Sequence, residues 1–196
     1  MHGAPSVSTT SSGAPRKRGS IATIIRTDLD MARARRTYLE MREAVALVPA
    51  RHHDFHVEIA KEEPCAPDVY RAVYLGVGRA YHWVDRAEWS DREIVDHLAR
   101  PDIGVWIVRS EGELAGFFEL RRCDDGSVEI AYFGLLPAFI GRGLGGYLLT
   151  VAVRESWALG ACRVWLHTST LDHASALSNY LKRGFEVTRI EEYEVM

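Results

Sequence analysis

The clearest pattern in the chain is an alternation of apolar and polar positions. Phe55, Val57 and Ile59 interleave with His56, Glu58 and Ala60, the period of a half-buried strand. The segment Ile103–Arg109 is apolar and rich in β-formers. Glu111-Gly112 then turns the chain into Leu114–Arg121, and Asp124-Asp125-Gly126 turns it again into Val128–Leu135. Consecutive short hairpins predict an antiparallel sheet here. Helical spacing appears elsewhere. Pro67 fits the first turn of a helix carrying Val69, Val73 and Val77. Ser90 with Glu93 three residues on forms a capping box ahead of Ile94, Val95 and Leu98. Leu144, Leu148, Val151 and Ala152 form the buried face of a longer helix that Gly160 ends. Arg163–Ser169 reads as a strand, residues 173–183 as a short helix closed by Gly184, and Phe185–Val195 as a last strand. Residues 28–48 fit a loose helix (Leu29, Ala32, Tyr38, Met41, Val45) and a strand over Thr37–Met41 equally well.

The order β, α, α, β, β, β, α, β, α, β predicts an α+β domain, a mixed and mostly antiparallel sheet flanked by helices. Its one clear strand–helix–strand crossover lies over residues 128–169. Residues 1–20 lack any apolar period and are dominated by small, polar, Pro and Gly residues. They are expected to be a disordered tail, with Arg16-Lys17-Arg18 solvated on it, ahead of a single domain over 21–196.

Composition narrows the functional classes. The chain has 196 residues, 47% hydrophobic and 26% charged, and so suffices for one domain with its own core. A net charge of −3 advertises neither nucleic acid nor an anionic membrane as partner. No apolar run approaches the roughly 20 residues that span a bilayer. Cys65, Cys123 and Cys162 are odd in number and far apart, which predicts reduced thiols, no zinc site and a cytoplasmic protein. The polar turn with His52, His53, Asp54 and His56 has metal-ligating side chains but no ligand spacing, and no metal is expected.

The stretch Gly141-Arg142-Gly143-Leu144-Gly145-Gly146 opens the long helix. A helix start presents unpaired N–H groups and a partial positive charge, and glycines let an anion approach that backbone closely. A pyrophosphate suits it, with Arg142 adding charge-assisted bonds. A P-loop would need Lys and Ser/Thr where Tyr147 and Leu148 stand. The dinucleotide fingerprint is met by Gly141, Gly143 and Gly146, with Asp172 as the ribose-binding acid. But Pro137–Ile140 intervene after the strand, and too little chain follows Asp172 to complete a parallel sheet.

Two blocks carry a resemblance. Glu129-Ile130-Ala131-Tyr132-Phe133-Gly134-Leu135-Leu136-Pro137, followed by Arg142-Gly143-Leu144-Gly145-Gly146, is similar to the strand, proline and pyrophosphate loop of the GNAT superfamily of acetyl-CoA-dependent N-acetyltransferases. His173–Phe185, with Ala176, Tyr180, Gly184 and Phe185 at the motif positions, resembles the superfamily's closing helix. The resemblance covers residues 103–185. It departs at Ile140, where Gln or Arg is usual, and at His173, where Asn is usual.

The resemblance implies a GNAT-like acyl-CoA N-acyltransferase fold, acetyl-CoA as co-substrate, and a thioester attacked directly by a primary amine. It implies cofactor contacts from Leu135, Gly141, Arg142, Gly143, Leu144, Gly145 and Gly146. At Leu135 two strands splay in that superfamily and leave a backbone N–H exposed, and Gly134 before it is consistent with a bulge. Tyr180 holds the position that protonates the leaving thiolate; a packed core tyrosine is the plain alternative. Glu129 holds the position of a catalytic glutamate in some members; it also reads as a solvent-facing residue of an alternating strand. His167 and Thr168 are lesser candidates. Tyr81, Trp83 and Asp85, with Trp89 close behind, fall in the connection that borders the acceptor in that superfamily, and aromatic faces with a carboxylate favour a compact cation. A small-molecule amine is the expected acceptor. A protein or peptide acceptor, or a non-catalytic acyl-CoA-binding module, is the alternative. A homodimer through an exposed final strand is a further expectation.

Overall fold

The computed structural model of the chain describes residues 33–51 and 56–195. The expected tail, its basic cluster and His52–Asp54 lie outside the described residues. The elements run β1 (Arg33–Met41), β2 (Val57–Lys61), α1 (Pro67–Gly78), α2 (Asp91–Leu98), β3 (Ile103–Ser110), β4 (Glu113–Arg122), β5 (Val128–Leu135), α3 (Leu144–Ala158), β6 (Val164–Ser169), α4 (Ala176–Lys182) and β7 (Glu186–Glu194). They form a mixed α+β fold around one seven-stranded sheet of order β2-β3-β4-β5-β6-β1-β7. Every neighbouring pair is antiparallel except β5 with β6, the two ends of the crossover through α3.

The ambiguous segment resolves as a strand. β1 pairs with β6 on one side and β7 on the other, so the first described strand is wedged between the last two. Buried on alternate positions by partners from the far end of the chain, Leu39 and Met41 join the main core. A local helix period could not compete with two ladders of backbone bonds.

Both faces of the central strands are covered, which explains their nearly continuous apolar runs. Trp106, Val108, Phe118 and Leu120 point to the face under α3, where Leu148, Leu149 and Val153 meet them. Val105, Ile107 and Phe117 point the other way, onto Tyr70, Val73 and Val77 of α1 and Ile94 of α2. The capping box forms as read: Ser90 Oγ accepts from the Glu93 N–H at 3.3 Å, and the Glu93 carboxylate accepts from the Ser90 N–H at 2.7 Å. On α3 the buried stripe is Leu144, Leu148, Leu149, Ala152 and Val153, with Val151 only half-buried.

Candidate active site

β5 and β6 pair at only two positions, Val128 with Val164 and Glu129 with Trp165. Beyond them the strands part. The cause is a bulge in β5: Ile130 pairs with Leu120 and Tyr132 with Glu119, leaving Ala131 as an extra residue. A bulge bends its strand and breaks pairing locally. It lies at Ala131, three residues ahead of Gly134, where the sequence had suggested it. Gly134 serves another purpose, because a Cβ there would overlap Cγ1 of Val77; its absence lets α1 lie close on β5.

The parted strands open a cleft of about 1130 Å³. Leu136 gives its N–H to Ala115 O on β4 at 2.8 Å. Successive residues of a strand alternate their N–H groups between its two edges. The Leu135 N–H therefore points to the open β6 side. It is a donor that the widening gap leaves without a partner on β6.

At one end of the cleft lies the glycine-rich turn. Gly141 (φ +81°) and Gly143 (φ +83°) take left-handed backbone that L side chains avoid, and Gly143 is the N-cap of α3 without a side-chain bond to its N–H groups. Gly141, Gly143, Gly145 and Gly146 line the cleft together with Ile140. Leu144 is buried in the core, so only its backbone is available to a ligand. Arg142 departs from expectation. Its guanidinium stacks over the Phe139 ring at 5.1 Å, and the residue is not among those lining the cleft. What the turn offers the cleft is therefore backbone, without the Arg142 side chain. Asp172 is engaged by Thr168 Oγ1 at 2.6 Å and by the Ser169 N–H at 2.7 Å, shaping the turn after β6. Together with a sheet that is antiparallel except at the short β5–β6 pairing, this removes the dinucleotide reading.

On the α4 side, Tyr180 is buried edge-on to Phe133 (6.1 Å) and Phe185 (6.3 Å). It also lines the cleft. Burial, then the Asp172 charge, pushes its phenol well above the ordinary tyrosine value, so the hydroxyl stays protonated. Asn179, one residue earlier, donates to Gly145 O at 3.2 Å and ties α4 to the start of α3.

On the α1 side the connection between α1 and α2 forms the opposite wall. Tyr81, Trp83 and Asp85 all line the cleft. Trp83 packs on Tyr74 (5.7 Å), Tyr132 (5.0 Å) and Phe117 (6.2 Å), so it is wall and core at once. Asp85 is exposed and accepts from the Tyr132 hydroxyl at 3.2 Å. Tyr81 meets His173 edge-on at 6.3 Å, bringing the two walls together at the mouth. Trp89 does not reach the cleft; it covers Arg86 at 4.9 Å.

Behind this wall lies a group of charges that sequence reasoning missed. Glu119 of β4 is wholly buried. Its carboxylate takes bonds from Arg86 Nη1 (2.6 Å) and Nη2 (3.0 Å), from the Tyr70 hydroxyl (2.8 Å), and contacts His97 Nε2 at 3.1 Å. Burial alone would raise its pKa; the His97 and Arg86 bonds outweigh it and hold the carboxyl below its usual value. A glutamate within the apolar run Ala115–Leu120 was the signal that could have flagged it.

Glu129 is not placed in the cleft. It sits at the last β5–β6 pair, 6% exposed, and Arg121 holds its carboxylate through Nε at 2.8 Å and through Nη2. From β6, His167 and Ser169 line the cleft, and His167 is solvent-accessible. Among the described residues no group of three His, Cys, Asp or Glu could hold a metal ion, and no helix is long and apolar enough to cross a membrane.

Comparison with known proteins agrees with this geometry. Residues 70–185 match the model of the acetyltransferase (GNAT) family. An uncharacterized N-acetyltransferase of Mycobacterium bovis is 30% identical over 101 residues, 52% of this chain and 64% of its own. A mycothiol acetyltransferase of Corynebacterium efficiens is 32% identical over 115 residues, 55% of this chain and 38% of its own. The chain thus spans less than two thirds of the length of these curated relatives. Among solved structures, a GCN5-related N-acetyltransferase from Kribbella flavida shares the fold with a TM-score of 0.59 at 22% identity, over 80% of this chain and 55% of that one. So does the PaiA N-acetyltransferase of Thermoplasma acidophilum, solved with coenzyme A, at 0.54 and 20%, over 71% of this chain and 99% of that one. With well over half of its length matched by the family model, the chain belongs to the GNAT family of acetyltransferases.

Proposed function

We propose that the protein transfers an acetyl group from acetyl-CoA to the primary amine of a small acceptor. The observation that carries this reading is the wedge between β5 and β6. It places the Leu135 N–H and the Tyr180 hydroxyl on one cleft with the glycine-lined start of α3. In this reading the pyrophosphate of acetyl-CoA lies on the N–H groups of residues 143–146, and the thioester reaches the wedge. The Leu135 N–H meets the carbonyl oxygen as it gains charge. The amine nitrogen attacks the carbonyl carbon, the C–S bond breaks, and Tyr180 gives its proton to the sulfur. After attack the nitrogen carries two protons; it gives up one, which replaces the proton Tyr180 lost, and keeps the other as the amide N–H. The acceptor enters between the Tyr81–Asp85 wall and β6, where aromatic faces and the Asp85 carboxylate favour an ammonium group. Such a rim favours a compact cation over a long acidic peptide. The names of the M. bovis and C. efficiens relatives support acetyl transfer in general.

The cofactor half of the reading is tested at Gly145. A Cβ there meets nothing closer than 3.9 Å, and an acidic side chain in the first turn favours the helix, so Gly145→Glu should fold. It places a carboxylate where the pyrophosphate would lie. Acetyl-CoA at 100-fold excess over Kd should stabilise the parent protein by about 2.7 kcal/mol and the variant hardly at all. An equal gain in both, by thermal shift, would move the cofactor to another surface.

A further inference from the structure

We propose that His167, rather than Glu129, is the base that frees the acceptor amine. The inference rests on the acetyl-transfer reading and assigns a residue to its one step still without a group.

Three observations carry it. The parallel pairing of Glu129 with Trp165 sets His167 across from Ala131, the bulge residue, at the point where the strands part. Leu166 points into the core under α3, so strand alternation turns His167 to the opposite face, the face of α1, Trp83 and Asp85. That is the side the acceptor enters in the reading above. Glu129, by contrast, is spent on Arg121 outside the cleft.

The groups around the imidazole can be named element by element. From β1 come Tyr38, edge-on at 5.7 Å, and Arg36, which pairs with Ser169 two residues along. β5 contributes Glu129, the α1–α2 connection Asp85, and the turn after β6 Asp172. Partial loss of hydration between the cleft walls, and then the Arg36 cation, lower the His167 pKa; the three carboxylates oppose them and do not prevail. Arg36 makes no ion pair within 4 Å among the described residues; Glu191 of β7 stands across from it, and its guanidinium lies 4.8 Å over the Tyr193 ring. The step balances simply. An incoming ammonium gives one proton to the neutral imidazole and gains a lone pair; after transfer, the imidazolium returns that proton to water.

The test is the pH dependence of kcat/KM for thiol release with an accepted amine. His167 is solvent-accessible, so His167→Ala opens no core cavity. It should lower kcat/KM about 10²-fold or more at neutral pH and abolish the acidic limb, while thermal stabilisation by acetyl-CoA persists. Arg36→Gln removes a cation, raises the His167 pKa and should move the limb to higher pH. Glu129→Gln removes an anion and should move it to lower pH without abolishing it. A His167→Ala protein with the parent rate and limb, or a Glu129→Gln protein without a limb, overturns the assignment and leaves acetyl transfer standing. A parent protein that acetylates no amine overturns both.

Discussion

Arg86→Met is expected to cost the fold about 3–5 kcal/mol, read as a fall in the denaturant midpoint. The Glu119 carboxylate is wholly buried, and Arg86 supplies two of its bonds as well as its counter-charge. Without Arg86 the ion stays in the interior with His97 and Tyr70, and removing one partner of a buried pair costs more than the pair itself contributes. The double variant Arg86→Met/Glu119→Leu should therefore recover most of the loss. The same pair sets a dependence on pH. Glu119 has its pKa lowered in the folded state, so its contribution is full above the unfolded carboxylate value and vanishes as pH falls through the lower, folded one. Stability of the parent should drop in acid, and Glu119→Gln should flatten that part of the curve. A loss below about 1 kcal/mol in Arg86→Met would mean that the pair is solvated like a surface salt bridge. Because Arg86 also fastens the connection that carries Trp83 and Asp85, the acceptor KM should rise in variants that still fold.

Tyr180→Phe should lower kcat about 10²-fold or more while leaving acetyl-CoA binding intact. The ring stays, with its edge-on contacts to Phe133 and Phe185, so packing is preserved. What is lost is a hydroxyl that burial keeps protonated and that makes no hydrogen bond to another described residue. The sulfur leaves as a thiolate whose thiol titrates, like cysteine, near ~8.5, so it takes up a proton at neutral pH, and a donor at the site supplies that proton as the C–S bond breaks. An unchanged kcat, measured with an acceptor for which chemistry limits the rate, would leave Tyr180 as a packing residue.

Local signals carried much of the fold into the sequence. The capping box at Ser90 and Glu93, the hairpin turns at Gly112 and Gly126, and the glycine cluster ahead of α3 act within a few residues, and each was readable. What could not be read depends on partners distant in sequence. Residues 33–41 become a strand because β6 and β7 flank them, not because of their own period. Glu129 looked free because its partner Arg121 stands on the neighbouring strand, in a register set by the bulge at Ala131. Arg36 and His167 share one cleft only because the first described strand inserts beside β6. Glu119 and Arg86 meet for the same kind of reason. The glycines of the turn before α3 were legible, whereas the stacking of Arg142 on Phe139 was not, since either orientation of that side chain fits the sequence.

The most direct measurement is thiol release from acetyl-CoA over a panel of small primary amines and short peptides, with the acetylated product identified by mass. The account predicts release that depends on a small amine, one N-acetylated product per thiol, and little turnover of the peptides. Stabilisation by acetyl-CoA without release above hydrolysis for any amine would contradict it and make the protein an acyl-CoA-binding module. Robust turnover of peptides with every small amine inert would contradict the acceptor class.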